Sequence, residues 1–219
     1  MNRQLSILSA ALIIGCARTP VPAAPTTFEP EIARFESSDR VSPAMQDGVV
    51  FVGSSSFRLW PNVAADFPGA SVINRGFGGS TLADVVTMTP RIVLPYRPRL
   101  VVLYAGDNDL AAGRTPVDVL ASYEQFVALV RRTLPSTRIA FVSIKPSPSR
   151  WALIERMRIA NRLVREVIAR DTLQRYVDVF TPMLRADGRP RPELFGPDSL
   201  HMTPAGYALW RERLSTVVR

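Results

Sequence analysis

From Gly48 onward, short unbroken apolar runs alternate with longer stretches in which apolar and charged positions recur at helical spacing. Val49-Val50-Phe51-Val52 is wholly apolar, rich in β-branched residues and closed by Gly53, which predicts a buried strand. Residues 70–74, 100–104, 138–144 and 176–180 predict four more. Helices are predicted near 56–66, 81–95, 116–133, 151–171 and 204–217. In the fourth of these, Ala152, Ile154, Met157, Ala160, Leu163, Val164, Val167 and Ile168 fall on one stripe with arginines and glutamates between them. Thr115-Pro116 and Thr203-Pro204 each supply an N-cap hydroxyl followed by a proline at the first helical position. Strands apolar along their whole length, alternating with helices, imply an α/β fold with a parallel five-stranded sheet covered on both faces. In such sheets ligands bind beyond the carboxyl ends of the strands, so the residues just after each strand are the ones to read for chemistry.

The first 30 residues follow a different pattern. Arg3 precedes an apolar stretch from Leu5 to Gly15, too short at ~1.5 Å per residue to cross a ~30 Å hydrocarbon layer. A basic start and a short apolar segment read instead as a secretory signal over residues 1–15. Ile13-Ile14-Gly15-Cys16 resembles a bacterial lipobox, which implies that Cys16 is lipidated and becomes the first residue of the exported protein. Residues 16–30 are rich in Ala, Pro and Thr and read as an extended tether, leaving 31–219 as one folded domain. The expected location is therefore the bacterial cell envelope, in the periplasm or at the outer membrane, with the membrane reached through the lipid anchor.

Composition narrows the chemistry. Apolar residues make up 47% of the 219 and charged residues 21%, as in ordinary globular domains, which excludes a disordered chain or a multi-span membrane protein. Cys16 and His201 are the sole cysteine and histidine, so an intrachain disulfide, a cysteine-based zinc site and a multi-histidine metal site are all excluded. The formal charge of +8 comes almost wholly from arginine, since Lys145 is the only lysine. The arginines are scattered rather than clustered, which favours a solvated surface over nucleic-acid binding. The sequence assigns no oligomeric state.

Four short segments fall at predicted strand ends or before the last helix: Gly53-Ser54-Ser55-Ser56, Asn74-Arg75-Gly76-Phe77-Gly78-Gly79-Ser80-Thr81, Gly106-Asp107-Asn108-Asp109, and Asp198-Ser199-Leu200-His201. A hydroxyl, a glycine turn, an asparagine and an Asp/His pair are the groups acyl transfer asks for: a nucleophile, oxyanion donors, a base and its orienting carboxylate. The four segments, in this order across residues 49–207, resemble the motif blocks of the SGNH hydrolases, or GDSL-type esterases. The resemblance implies a three-layer α/β/α sandwich of flavodoxin-like type and a serine esterase that needs no metal or organic cofactor. Residue by residue it implies Ser55 as nucleophile, His201 as base and Asp198 as the carboxylate that orients the base. It implies an oxyanion hole formed by the N–H groups of Ser55 and Gly79 and the amide of Asn108. Ser54 departs from the family pattern, which has aspartate there, and Ser54 and Ser56 remain alternative hydroxyls.

Other signals are weaker. The third glycine of a dinucleotide fingerprint would fall at Thr81, and no Gly-x-Ser-x-Gly elbow occurs, so a Rossmann enzyme and an α/β-hydrolase are both disfavoured. Arg75, beside the glycine turn, is a candidate contact for an acidic substrate group, the alternative being an ion pair with a nearby acid. Asp107 and Asp109 read as turn residues, Lys145 has no assigned task, and Trp60, Trp151 and Trp210 read as packing residues on helices. Short loops between predicted elements suggest an open cleft. The expected substrates are short-acyl esters, such as acetyl esters of carbohydrate, or lysophospholipid-type esters. The alternative is a non-catalytic envelope binding protein on the same scaffold.

Overall fold

The computed structural model describes residues 28–43 and 46–219. The expected leader, Cys16 and the tether through residue 27 lie outside the described residues. Five strands, β1 (Val49–Gly53), β2 (Val72–Gly76), β3 (Leu100–Tyr104), β4 (Arg138–Val142) and β5 (Gln174–Val177), form one sheet in the order β2-β1-β3-β4-β5. Every neighbouring pair is parallel. This 2-1-3-4-5 order is that of flavodoxin-like sheets, and it reverses direction between β1 and β3. The helices are α1 (Glu29–Val41), α2 (Ser55–Arg58), α3 (Leu82–Ile92), α4 (Asp107–Ala111), α5 (Pro116–Thr133), α6 (Ile154–Ile168) and α7 (Pro204–Val218). None in the described region is long and apolar enough to cross a membrane.

The period of two along each strand sorts the apolar residues into two cores. Val50, Val52, Val101, Leu103, Ile139 and Phe141 face one side, where they meet α1, α3, α5 and α6. Val49, Phe51, Leu100, Val102, Tyr104, Ala140 and Val142 face the other, against Phe57 of α2, the 60–67 turn and α7. Trp210 of α7 is fully buried there and meets the rings of Tyr104 and Phe57 edge-on at 4.8 and 6.0 Å.

Several boundaries differ from expectation for local reasons. The helix expected over 56–66 stops at Arg58, because Trp60 precedes Pro61 and a residue before proline is pushed out of the helical region. Trp60 is buried all the same, its indole donating to Asp66 Oδ2 at 2.6 Å from a turn rather than from a helix. β2 runs two residues later than the expected 70–74, since Arg75 and Gly76 pair with Val52 and Gly53. Glu29 and Pro30, placed by the sequence at the end of the tether, form the first turn of α1. The Gly-Asp-Asn-Asp segment is a short helix, α4, rather than a bare turn. The connection from β5 to α7 is long, spanning residues 178–203 through two 3-10 turns and two isolated bridges.

Candidate active site

Ser55 is the first residue of α2 and follows β1 with only Ser54 between. The turn is sharp because Gly53 sits at φ +142°, and a Cβ there would lie 1.8 Å from the Tyr104 carbonyl oxygen, so only glycine fits. Neighbouring elements fix the turn. The Ser54 N–H donates to that same Tyr104 oxygen at 2.9 Å, and the Phe77 N–H donates to the Gly53 carbonyl at 2.9 Å. The Tyr207 hydroxyl of α7 donates to the Ser56 carbonyl at 3.0 Å, and Asn74 Nδ2 donates to the Phe57 carbonyl at 2.7 Å.

The three adjacent serines are not equivalent. Ser54 and Ser56 are fully buried with hydroxyls that have no hydrogen-bond partner, whereas Ser55 is half-buried and its Oγ lies 2.9 Å from His201 Nε2. His201 Nδ1 lies 2.5 Å from Asp198 Oδ2. With Asp198 ionised, Nδ1 carries the proton and donates it, and Nε2 is left as an acceptor for the Ser55 hydroxyl. The N–H groups of His201 and Leu200 donate to Asp198 Oδ1 at 2.9 and 3.0 Å. Those backbone bonds, together with the imidazole, hold the Asp198 carboxyl down at about 2. Ser199, at φ 54°, makes the left-handed bend of this loop, which the Gly196 N–H closes on the His201 carbonyl at 2.8 Å.

The other two segments stand on the same rim of the sheet. Gly79 takes φ +76° with open space where a side chain would project, leaving its backbone approachable. Asn108, in the first turn of α4 after β3, donates from Nδ2 to the Ser80 carbonyl at 2.9 Å, which joins the asparagine to the glycine loop. That bond uses one of the two Nδ2 hydrogens. Glu31 of α1 also reaches this loop, its Oε2 accepting from the Gly78 N–H at 3.0 Å. The Asp109 carboxylate accepts from the Leu82 N–H at the start of α3, and burial raises its pKa to about 6.

Of the two readings of Arg75, the geometry matches the ion pair. It lies on β2 with its side chain turned toward α1 and is 8% exposed. Its Nη2 meets Asp39 Oδ1 at 2.5 Å and its Nε donates to the Tyr96 hydroxyl at 2.7 Å. Its guanidinium also lies over the Phe35 and Tyr96 rings at 5.0 and 4.8 Å. Committed to these partners, it docks α1 instead of facing the cleft.

Beneath Asn108 lies a charged cluster that carried no sequence signal beyond the isolated lysine. Lys145 and Asp107, both almost fully buried, pair at 3.0 Å, and Lys145 Nζ also donates to the Tyr104 hydroxyl at 3.1 Å. Arg150 Nη1 lies 3.2 Å from the same Asp107 oxygen. Burial would raise the Asp107 carboxyl, but the two cations outweigh it and hold the pKa below its ordinary value. Among the described residues, no group of three or more His, Cys, Asp or Glu side chains could hold a metal ion. A groove of about 1130 Å³ between α7 and residues 66–70 contains none of the groups above.

A family model described as GDSL-like lipase/acylhydrolase matches residues 45–209, most of the chain and all four segments. The chain belongs to that family. The sheet and helices agree with those of solved structures at low sequence identity. One is a Streptococcus pneumonia protein named for platelet activating factor, with TM-score 0.78 and 20% identity over 87% of this chain and 92% of that one. Another is a GDSL-like lipase from Bacteroides thetaiotaomicron, with TM-score 0.72 and 20% identity over 85% and 96% of the two chains. A catalytic mutant of an acetylxylan esterase from Geobacillus stearothermophilus gives TM-score 0.64 and 16% identity over 80% and 95%. No curated protein matches the chain in sequence.

Proposed function

We propose that this GDSL-family protein is a serine esterase that cleaves short-acyl carboxylic esters through an acyl-Ser55 intermediate. The observation that carries the reading is the Ser55–His201–Asp198 chain of contacts at 2.9 and 2.5 Å, with Asp198 held ionised. His201 Nε2 takes the proton as Ser55 Oγ bonds to the ester carbonyl carbon, and the carbonyl oxygen becomes an oxyanion. The N–H groups of Ser55 and Gly79 and the free N–H of Asn108 are the donors for that charge. The tetrahedral adduct collapses, the alcohol leaves with the proton from His201, and Ser55 keeps the acyl group. A water then gives a proton to His201 and its oxygen to the acyl carbon, releasing the acid and restoring the serine. Acetyl esters of carbohydrate and lysophospholipid-type esters are the substrate classes we favour. The acetylxylan esterase likeness is consistent with the first. We also propose that Cys16 carries a lipid that ties the domain to the cell envelope, so that Cys16→Ser moves the protein from the membrane to the soluble fraction; unchanged fractionation refutes the anchor.

A chromogenic acetyl and butyryl ester series, with fluorophosphonate labelling, tests the activity. The wild-type protein is expected to turn over and to be labelled at Ser55, and Ser55→Ala and His201→Ala each to lower kcat at least ~10³-fold. A folded wild-type protein that is inert across acyl lengths and unlabelled is instead a binding protein on this scaffold.

A further inference from the structure

Asn108 supplies an oxyanion donor in the reading above, but a free amide can rotate or present its oxygen instead. Two contacts prevent this. Nδ2 donates one hydrogen to the Ser80 carbonyl at 2.9 Å, and Oδ1 accepts from Arg150 Nη2 at 2.7 Å. With Oδ1 occupied by a cation, the amide cannot flip without setting an NH₂ group against a guanidinium. The second Nδ2 hydrogen is thereby left for the substrate side, and charge drawn toward Oδ1 makes that N–H a stronger donor.

Arg150 is itself fixed. Its other nitrogen, Nη1, is buried and ion-paired with Asp107 at 3.2 Å without a hydrogen bond, and Asp107 is in turn paired with Lys145 at 3.0 Å. The backbone at Arg150 departs from the surrounding 3-10 turn, at φ −113° and ψ 23°. One residue earlier, the Ser149 N–H donates at 3.0 Å to the carbonyl of Ser199, inside the loop that carries Asp198 and His201. The β4–α6 connection therefore touches the asparagine with a side chain and the histidine loop with its backbone.

We propose that Arg150 is a positioning residue for the esterase, acting through Asn108 to aim and polarise its amide at the oxyanion. This rests on the esterase reading. Because its guanidinium bonds the amide of Asn108 and is ion-paired with Asp107, Arg150 is expected to act on the transition state through Asn108 rather than on substrate affinity.

The test is a double-mutant cycle on ester hydrolysis. Asn108→Ala lowers kcat by roughly 10²–10³, as loss of one oxyanion donor does. Arg150→Met in the wild-type background is expected to lower kcat ~10-fold with KM changed less than ~2-fold, and to cost less than ~2-fold more in the Asn108→Ala background, where its target is gone. Arg150→Lys, which keeps the charge on a single donor nitrogen, recovers part of kcat and carries the cycle if the methionine variant melts at ambient temperature. The proposal is overturned if the Arg150 variants keep wild-type kcat, if their loss is equally large without Asn108, or if KM rises while kcat holds, which marks a substrate contact. A wild-type protein without ester turnover or Ser55 labelling refutes the esterase reading itself, whereas an active wild type with an additive cycle refutes only the role of Arg150.

Discussion

At the scale of single residues, burial decides which chemically similar groups are free to act. Three consecutive hydroxyls follow β1, yet only Ser55 both keeps solvent access and meets the imidazole, since Ser54 and Ser56 point into the packed side of the turn. Burial also makes Asp109 a measurable liability. A carboxyl whose folded pKa of about 6 exceeds its ordinary 3.8 binds its proton more tightly in the native state, so its contribution to stability falls as pH rises from about 4 to 6 and stays lost above that. Asparagine retains an acceptor for the Leu82 N–H and cannot ionise. Relative to wild type, Asp109→Asn should therefore gain ~1–2 kcal/mol in unfolding free energy between pH 4 and pH 7, measured by urea denaturation of both proteins at each pH. A pH-independent difference between them would show that Asp109 titrates normally. Ser55, His201 and Asp198, which meet in the structure, could be singled out in sequence because their blocks are short and ordered along the chain. The Arg150–Asp107–Lys145 cluster was not, because its members come from two strand ends and a turn whose convergence no local spacing encodes.

At the scale of elements, the strands were the most readable feature and α1 the least. Buried parallel strands show as continuous apolar runs, and β1 and β3 appear where the sequence put them. The 18-residue α5 was equally clear, found over the expected 116–133 with Thr115 and Asp118 forming a full capping box. Helix α1 gives no such stripe: its sequence is mostly polar and only Ile32 is fully buried. Polar contacts hold it instead. Arg91 pairs with Glu29 and Glu36, each at 2.7 Å, and Arg75 with Asp39 and, through Tyr96, with Asp39 again. Arg75→Ala leaves Asp39 and the Tyr96 hydroxyl partly buried without their cation. It should destabilise the domain by ~2–3 kcal/mol, below the full cost for a wholly buried pair because Asp39 keeps some exposure. The same variant should leave KM for a neutral ester unchanged. A raised KM with intact thermal stability would instead favour the substrate-contact reading of Arg75.

At the scale of the whole molecule, alternation of strand and helix was enough to read the layer order, because each strand divides its residues between two cores by parity. What it left out was the long path from β5 to α7, where 3-10 turns and isolated bridges replace periodic structure and hydrophobic spacing has nothing to repeat. Sheet topology then concentrates the chemistry. Ser55 follows β1 and Asn108 follows β3, the two strands that flank the reversal in strand order, and the Asp198–His201 loop folds over the same end. The opposite end of the sheet, where chain enters the strands through segments such as Pro68–Gly69 and Pro135–Ser136, takes no part in these contacts. The Ser55–His201–Asp198 contacts therefore all lie at one end of the sheet. Grafting a peptide tag or a surface linker at the exposed Ser136 would immobilise the protein with the Ser55 hydroxyl facing outward, its orientation set by the fold itself.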